Sequence, residues 1–287
     1  MRIESAIEFL ATGSTKPFLA HNELGQKVVV KAMVRPTMGK ILLNEYLAGN
    51  LAVTIGLPWP NTSLASLSTQ AIHFLQRNAR EVHSADCVAI QYVENLSPTN
   101  WPSPPQGSES WNDRNLDLLP DINRVHMQSY FDNPETQSVF YGRALFEAWL
   151  FFQDIKYDTL YVLPNKNPVF LDGSHAFGGS DWEIDQMDYS HAKSLPMSPY
   201  LEGILTHQEL FEEWFNRIES VPNSIVSSLL DNVPKSWSVT SEQLRFLSDL
   251  LVSRRKRFIE VYKIEIENHY RTMQRLHITQ KPTVRHS

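Results

Sequence analysis

Four groups of residues have the types and spacing to do chemistry. Lys31 ends the apolar run Val28-Val-Val-Lys-Ala32, and Glu45 follows in the next helical stretch. A lysine so placed either snorkels to water or enters a buried ion pair, and such a pair can hold an ammonium on nucleotide phosphates. Gly13, Ser14, Thr15 and Lys16 lie in Thr12-Gly-Ser-Thr-Lys-Pro17. Their backbone N–H groups can turn towards a phosphate, with Lys16 adding charge. The motif lacks the longer glycine loop of a Walker A sequence, and an ordinary surface turn reads the same way. Gln153-Asp-Ile-Lys-Tyr-Asp158 sets two carboxylates and a lysine between an apolar helix and an apolar strand. Phosphoryl transfer needs a carboxylate near the acceptor hydroxyl and an oxygen ligand for a metal; a solvated turn is the alternative. Asp172 follows the strand candidate Val169–Leu171 and precedes Gly173. It suits a magnesium ligand, with the glycine allowing a sharp backbone turn, although a plain Asp-Gly turn has the same letters.

These groups need elements to position them. Pro17–Ala20 and Lys27–Ala32 flank the turn signal Asn22-Glu-Leu-Gly25 and read as a hairpin, with the Gly13–Lys16 segment just before its first strand. Lys40–Ile55 reads as a helix, with Leu43, Leu47, Leu51 and Thr54 at helical spacing and Gly56 and Pro58 as the stop. Cys87–Val93 is a further strand. The first 95 residues thus read as a strand-rich unit with one helix. Residues 96–120 carry five prolines among Ser, Asn, Gly and Gln and read as a loop. Residues 121–287 read as mostly helical, with Leu145, Trp149 and Phe152 on one helix face. Two short strands, Tyr157–Leu163 and Val169–Leu171, surround the turn Pro164-Asn-Lys-Asn167. Gln208–Ile218 reads as an amphipathic helix, and Gln243 to about Arg271 as a long one. The basic run Arg254–Arg257 is expected to be a solvated face of that long helix.

Composition excludes several classes. The 287 residues are 42% hydrophobic and 20% charged, which suits a globular protein. A formal net charge of -6 argues against a basic nucleic-acid binder. The single cysteine, Cys87, allows no internal disulfide and suggests a reducing compartment, so a cytoplasmic location is expected. No apolar run approaches the ~20 residues that span a bilayer, so no membrane partner is expected. The histidines form no zinc signature and no G-x-S-x-G elbow occurs.

In their order along the chain, these pieces resemble the HipA-like kinases, in the compact form without an extra N-terminal domain. The resemblance rests on Gly13-Ser-Thr-Lys-Pro17, Lys31, Asn44-Glu45, Leu47-Ala48, Gly56-Leu-Pro58, Ala89-Ile-Gln-Tyr-Val-Glu94, Asp154–Leu163 and Leu171-Asp-Gly-Ser-His-Ala-Phe177. Val233-Pro-Lys-Ser-Trp237 and Leu251-Val-Ser-Arg-Arg255 are similar to the family's closing helices. It implies an α+β, two-lobed protein-kinase-like fold, with a small antiparallel-sheet N-lobe and a mostly helical C-lobe. It also implies an ATP- and magnesium-dependent phosphotransferase, often acting on protein Ser or Thr, with relatives among toxins that pair with antitoxins. A protein acceptor or antitoxin-like partner is therefore expected, and direct nucleic-acid binding is not. Lys31 would then hold phosphates, oriented by Glu45, and Gly13–Lys16 would cover them. Gln91, Tyr92 and Val93 would meet the adenine, Asp172 and Asp158 the metal, and Asp154 would be the catalytic base.

One position departs from the family pattern, in which the catalytic Asp is followed five residues later by an Asn metal ligand. Asp154 is followed at that distance by Thr159, with Asp158 four on. Either the segment is one residue shorter and Asp158 replaces the Asn, or the base position is Gln153 and the base is lost. The first reading keeps an enzyme, and the second gives a nucleotide-binding pseudokinase. A carboxylate can replace an amide as oxygen ligand, which favours the first. A small-molecule kinase of the same fold is a further alternative.

Overall fold

Residues 2–9, RIESAIEF, mix polar and apolar positions without strict alternation and form the opening strand, β1 (Arg2–Phe9), with Ile3 buried and register shifts at Ile3/Ser5 and Ala6/Glu8. The computed structural model describes residues 1–10, 15–78, 80–99, 131, 133–152, 160–186, 208–255, 260, 263, 264 and 267. β2 (Phe18–Asn22) and β3 (Lys27–Ala32) form the expected hairpin, with Phe18 opposite Val30 and His21 opposite Lys27. α1 (Gly39–Thr54) follows, then β4 (Thr62–Leu67), α2 (Thr69–Arg77) and β5 (Asp86–Gln91).

The sheet is not the purely antiparallel one expected. It closes as a five-stranded barrel in the order β1-β2-β3-β5-β4, and β1 meets β4 in parallel at Arg2–Ser66 and Ile3–Leu67. Closure removes the exposed strand edges that an open sheet would leave. The first 95 residues also carry two α-helices rather than one. Ser68 starts the second by accepting the Ala71 N–H on its Oγ at 3.2 Å. The Gly13–Lys16 segment does precede the hairpin's first strand, but another strand, β1, comes before it, and the Leu10 N–H donates to Pro17 O at 2.9 Å between them.

β6 (Ser97–Pro98), β7 (Leu160–Val162) and β8 (Pro168–Phe170) form a small antiparallel sheet. The described helices after residue 130 are α3 (Pro134–Trp149), α4 (Gln208–Glu219), α5 (Asn223–Asp231) and α6 (residues 241–255). α3 stops at Trp149, and Phe151 takes a φ of 52°, so Phe152 lies past the helix although it stays buried. A 3-10 turn, Lys235–Trp237, leads into α6.

Two cores result. Ile3, Phe18, Val30, Leu67, Leu75 and Cys87 belong to the one that fills the barrel, with α2 packed against it. The larger core joins α1 to the helices that follow residue 130. α1 is buried on nearly every side from Leu42 to Gly49, as a helix with no continuous polar stripe must be. Among the described residues no helix is long and apolar enough to cross a membrane.

The basic run at 254–257 corrects an expectation. Arg254 and Arg255 are buried. Arg254 donates to Ala148 O at 2.8 Å and Trp149 O at 3.1 Å, capping the open carbonyls at the end of α3. Arg255 donates to Val221 O and to Asn223 Oδ1. Lys256 and Arg257 lie outside the described residues.

Candidate active site

β3 carries Lys31 towards α1, where its ammonium is buried rather than exposed to water. Lys31 Nζ donates to Glu45 Oε2 at 2.7 Å and to Asp172 Oδ1 at 3.0 Å. These residues come from β3, the middle of α1 and the segment after β8, the last separated from Lys31 by more than half the described fold. Glu45 is fully buried, and the Asp172 side chain keeps 34% of its surface.

One cation therefore serves two carboxylates. Burial alone would lower the pKa of Lys31, but Glu45 and Asp172 outweigh it and hold the ammonium above its ordinary range. Burial works to raise Asp172 as well. Lys31 and the hydrogen bonds from Ser174 overcome that and hold this carboxyl well below the usual carboxylate range. Burial raises Glu45 despite Lys31, and the Asp172 charge adds to the rise.

The donors to Asp172 crowd onto one oxygen. Lys31 Nζ, Ser174 Oγ at 2.5 Å and the Ser174 N–H at 3.3 Å all point at Oδ1. Its partly exposed carboxylate thus has a second oxygen for another partner. That arrangement fits a hard cation such as magnesium, which usually takes one or two carboxylates together with phosphate oxygens and water. Among the described residues no three His, Cys, Asp or Glu side chains form an all-protein metal cage.

The local backbone makes this placement possible in a way the letters Asp-Gly did not reveal. Asp172, not Gly173, takes the left-handed conformation, with φ 68°. Gly173 is needed for space, since a Cβ there would lie 2.5 Å from Ala48 Cβ on α1. Asn44, one residue before Glu45, bonds the segment that continues from Asp172. Its Nδ2 donates to Ser174 O, Ala176 O and Gly179 O at 2.8–3.0 Å. Lys40 Nζ adds a bond to Trp182 O at 2.6 Å.

Asp154 and Asp158 lie outside the described residues, as do Gly13 and Ser14. The chain on either side of 153–159 is nevertheless tied to the chain on either side of Asp172. Leu160 pairs with Phe170 in β7–β8. The Phe177 and Gly178 N–H groups donate to Leu150 O and Phe151 O at 2.7 and 2.9 Å. Arg143, missed in the sequence, reinforces this junction. Its guanidinium lies over the rings of Trp59, Phe152 and Phe170 at 4.7, 5.4 and 5.1 Å and pairs with Glu147. Its i,i+4 spacing to Glu147 was a readable signal, but an exposed helix pair has the same spacing.

Thr15 is buried and Lys16 exposed, with Lys16 at φ 52°. The Phe18–Val30 register puts their connection at the Lys31 end of β3. Gln91 ends β5, and Tyr92 and Val93 follow it. The Gln91 N–H donates to Asn61 O at 2.8 Å and the Tyr92 N–H to Lys27 O at 3.4 Å.

Residues 3–108 match the family model of the HipA-like kinases. That span includes Lys31 and Glu45 but stops before Asp172. The crystal structure of a Helicobacter pylori proinflammatory kinase, CtkA, superposes with a TM-score of 0.61 at 16% identity, over 94% of this chain and 99% of that one. The Golgi casein kinase with Mn and ADP bound gives 0.50 at 12% identity, over 91% and 74%. At such identities the likeness shows a shared kinase-like α+β fold. No curated protein sequence matches the chain.

Proposed function

We propose that the protein is an ATP-dependent phosphotransferase of the HipA-like kind, acting on Ser or Thr of a protein in the cytoplasm. The observation that carries this reading is the buried contact of Lys31 with Glu45 and Asp172. Its parts are those a nucleotide-phosphate site needs: a fixed cation, a residue orienting it, and a carboxylate with an oxygen to spare. In this reading the barrel with α1 and α2 is the N-lobe, and the nucleotide lies between it and the helical C-lobe. A protein acceptor or an antitoxin-like partner would be the macromolecular ligand.

Lys31 neutralises phosphate charge while Glu45 keeps its ammonium from swinging away. Asp172 and Asp158 would hold magnesium, which when bound would supply neutralising charge to the nucleotide phosphates during transfer to the acceptor. Asp154 accepts the acceptor's hydroxyl proton. The bonds of Leu160 to Phe170 and of Phe177 and Gly178 to Leu150 and Phe151 support these roles, because they bring the described chain on both sides of 153–159 against the chain around Asp172. Mn and ADP in the Golgi casein kinase agree with nucleotide and divalent-metal use.

The test is transfer from γ-labelled ATP with magnesium by the full chain, beside Lys31→Ala, Asp172→Ala and Asp154→Asn. Wild type is expected to transfer label. Each variant is expected to lose on the order of 10²-fold or more, with Asp154→Asn alone keeping its ATP affinity. Wild type that does not bind ATP at millimolar concentration overturns the assignment. Thr159 at the place of the expected Asn supports a second reading, a pseudokinase. Wild type that binds ATP but labels neither itself, lysate proteins nor water selects that reading.

A further inference from the structure

We propose that Asn44 is a positioning residue that sets the magnesium affinity of the nucleotide site by holding the segment that begins at Asp172. The proposal rests on the phosphotransferase reading above.

Asn44 is completely buried in α1. All of its side-chain bonds run to one stretch of chain. Nδ2 faces Ser174 O at 3.0 Å, Ala176 O at 2.9 Å and Gly179 O at 2.8 Å, and Oδ1 accepts the Trp182 Nε1 proton at 2.9 Å. An amide nitrogen has two protons, so three carbonyls share them. Rotating the amide by half a turn would set its oxygen against those carbonyls and its protons against the indole N–H. The side chain therefore has one orientation.

The carbonyls converge because the backbone curls there. Phe177, Gly178 and Gly179 take φ values of 58°, 86° and 116°. Inward-facing carbonyls without donors would cost free energy when buried. Asn44 supplies the donors, so this curl depends on an amide at that place in α1.

The connection to the metal is short. Ser174 gives its carbonyl to Asn44 and its N–H and Oγ–H to Asp172 Oδ1. Those donors, with Lys31, occupy Oδ1 and leave the other Asp172 oxygen for the metal. The neighbouring residue, Glu45, fixes Lys31, which binds the same Oδ1. Two adjacent residues of α1 thus hold the Asp172 carboxylate from two sides. Loosening Asn44 frees Ser174 to move, and Asp172 then presents its metal oxygen less consistently.

Calorimetry of ADP binding, with and without magnesium, tests this separately from activity. Wild type is expected to bind ADP more tightly as magnesium is added. Asn44→Ala should shift the half-saturating magnesium concentration upward by about tenfold or more, in the range found when partners of metal ligands are removed. Its affinity for metal-free ADP should stay near wild type. Trp182→Phe removes the indole proton from Asn44 Oδ1, together with part of a buried ring that Lys40 also contacts, while leaving the Asn44 amide on its three carbonyls, and should shift the magnesium requirement in the same direction by less. It decides the question if Asn44→Ala does not fold. Unshifted magnesium requirements in the folded variants, or equal losses with and without metal, overturn the role of Asn44 alone. Wild-type binding indifferent to magnesium overturns the phosphotransferase reading as well.

Discussion

Replacing Gly173 by alanine tests whether close packing of the Asp172 segment on α1 maintains the Lys31 contact. The added Cβ would lie 2.5 Å from Ala48 Cβ, while Asn44 O and Glu45 Cα would both lie at 3.4 Å. Unbonded carbons rest about 3.5–4.0 Å apart, so one methyl of α1 causes almost the whole conflict. Relief requires the segment to move by roughly 1 Å, given that Ala48 is completely buried in a packed helix. Asp172, the adjacent residue, sits 3.0 Å from Lys31 Nζ, and such a movement takes it out of hydrogen-bond range. Overpacking of this kind costs about 1–3 kcal/mol. A misplacement near 1 Å can cost on the order of 10²-fold in rate. Ala48→Gly removes the opposing methyl at about 1 kcal/mol of helix propensity. The pair defines a double-mutant cycle. Denaturation midpoints and label transfer are measured for wild type, both single variants and the double variant. The double variant should recover most of the transfer lost in Gly173→Ala and should be more stable than the two single effects predict together. Additive losses, or Gly173→Ala with wild-type stability and transfer, would refute the packing argument.

Three further outcomes follow from the same site. Glu45→Ala leaves the buried Lys31 with one partner fewer, and removing one member of a buried pair costs ~3–5 kcal/mol; a urea midpoint equal to wild type would place the pair in solvent instead. Asp172 has a depressed pKa in the folded state, so its stabilisation is present above the unfolded value of about 4 and is lost as pH falls further. The stability gap between wild type and Asp172→Asn should therefore be widest near neutrality and close in acid, and a gap constant from pH 7 to pH 2 contradicts the ion pair. At Gly39 a Cβ would lie 1.8 Å from Trp237 O, where backbone meets backbone. Gly39→Ala should lower the thermal midpoint, consistent with a loss of about 1–3 kcal/mol, and an unchanged midpoint would show that the Lys235–Trp237 turn does not press on the start of α1.

The hairpin and α1 were legible because their signals are local. Asn22-Glu-Leu-Gly25 lies between two apolar runs, and Asn22 Oδ1 accepts the Leu24 and Gln26 N–H groups at 3.0 and 2.9 Å. Gly56 takes φ 82° just past the end of α1, as a chain reversal needs. β1, β4 and α2 were missed for different reasons. β1 has only Ile3 fully inside, so its alternation is faint. β4 mixes Ser and Thr with its apolar residues, and α2 announces itself mainly through the Ser68 cap.

Among the site residues, sequence named Lys31, Glu45 and Asp172, because an ion among apolar neighbours or after a strand stands out by type. Sequence offered a Lys31–Glu45 pair as one of two readings but did not show that Asp172 joins it. Arg143 escaped notice, and Asn44 entered only as the neighbour of Glu45, for a related reason. An amide or a guanidinium in a helix has the same letter whether it faces water or three carbonyls, and packing alone distinguishes these. Arg254 and Arg255 make the point in reverse, since a run of basic residues reads as solvated until α6 carries two of them onto the buried carbonyls at the end of α3 and the start of α5.

The sequence by itself determined the elements with strong local periodicity and the residue types able to handle a phosphate and a metal, because turn chemistry and helical spacing act over a few residues. Tertiary structure decided that the strands close into a barrel, that one buried ammonium serves two carboxylates, and that Gly173 is required for room rather than for its backbone. These depend on contacts between residues far apart in the chain, such as Lys31 with Asp172 and Gly173 with Ala48. Burial and charge strength at such contacts arise only when the chain brings the partners together and excludes water from around them.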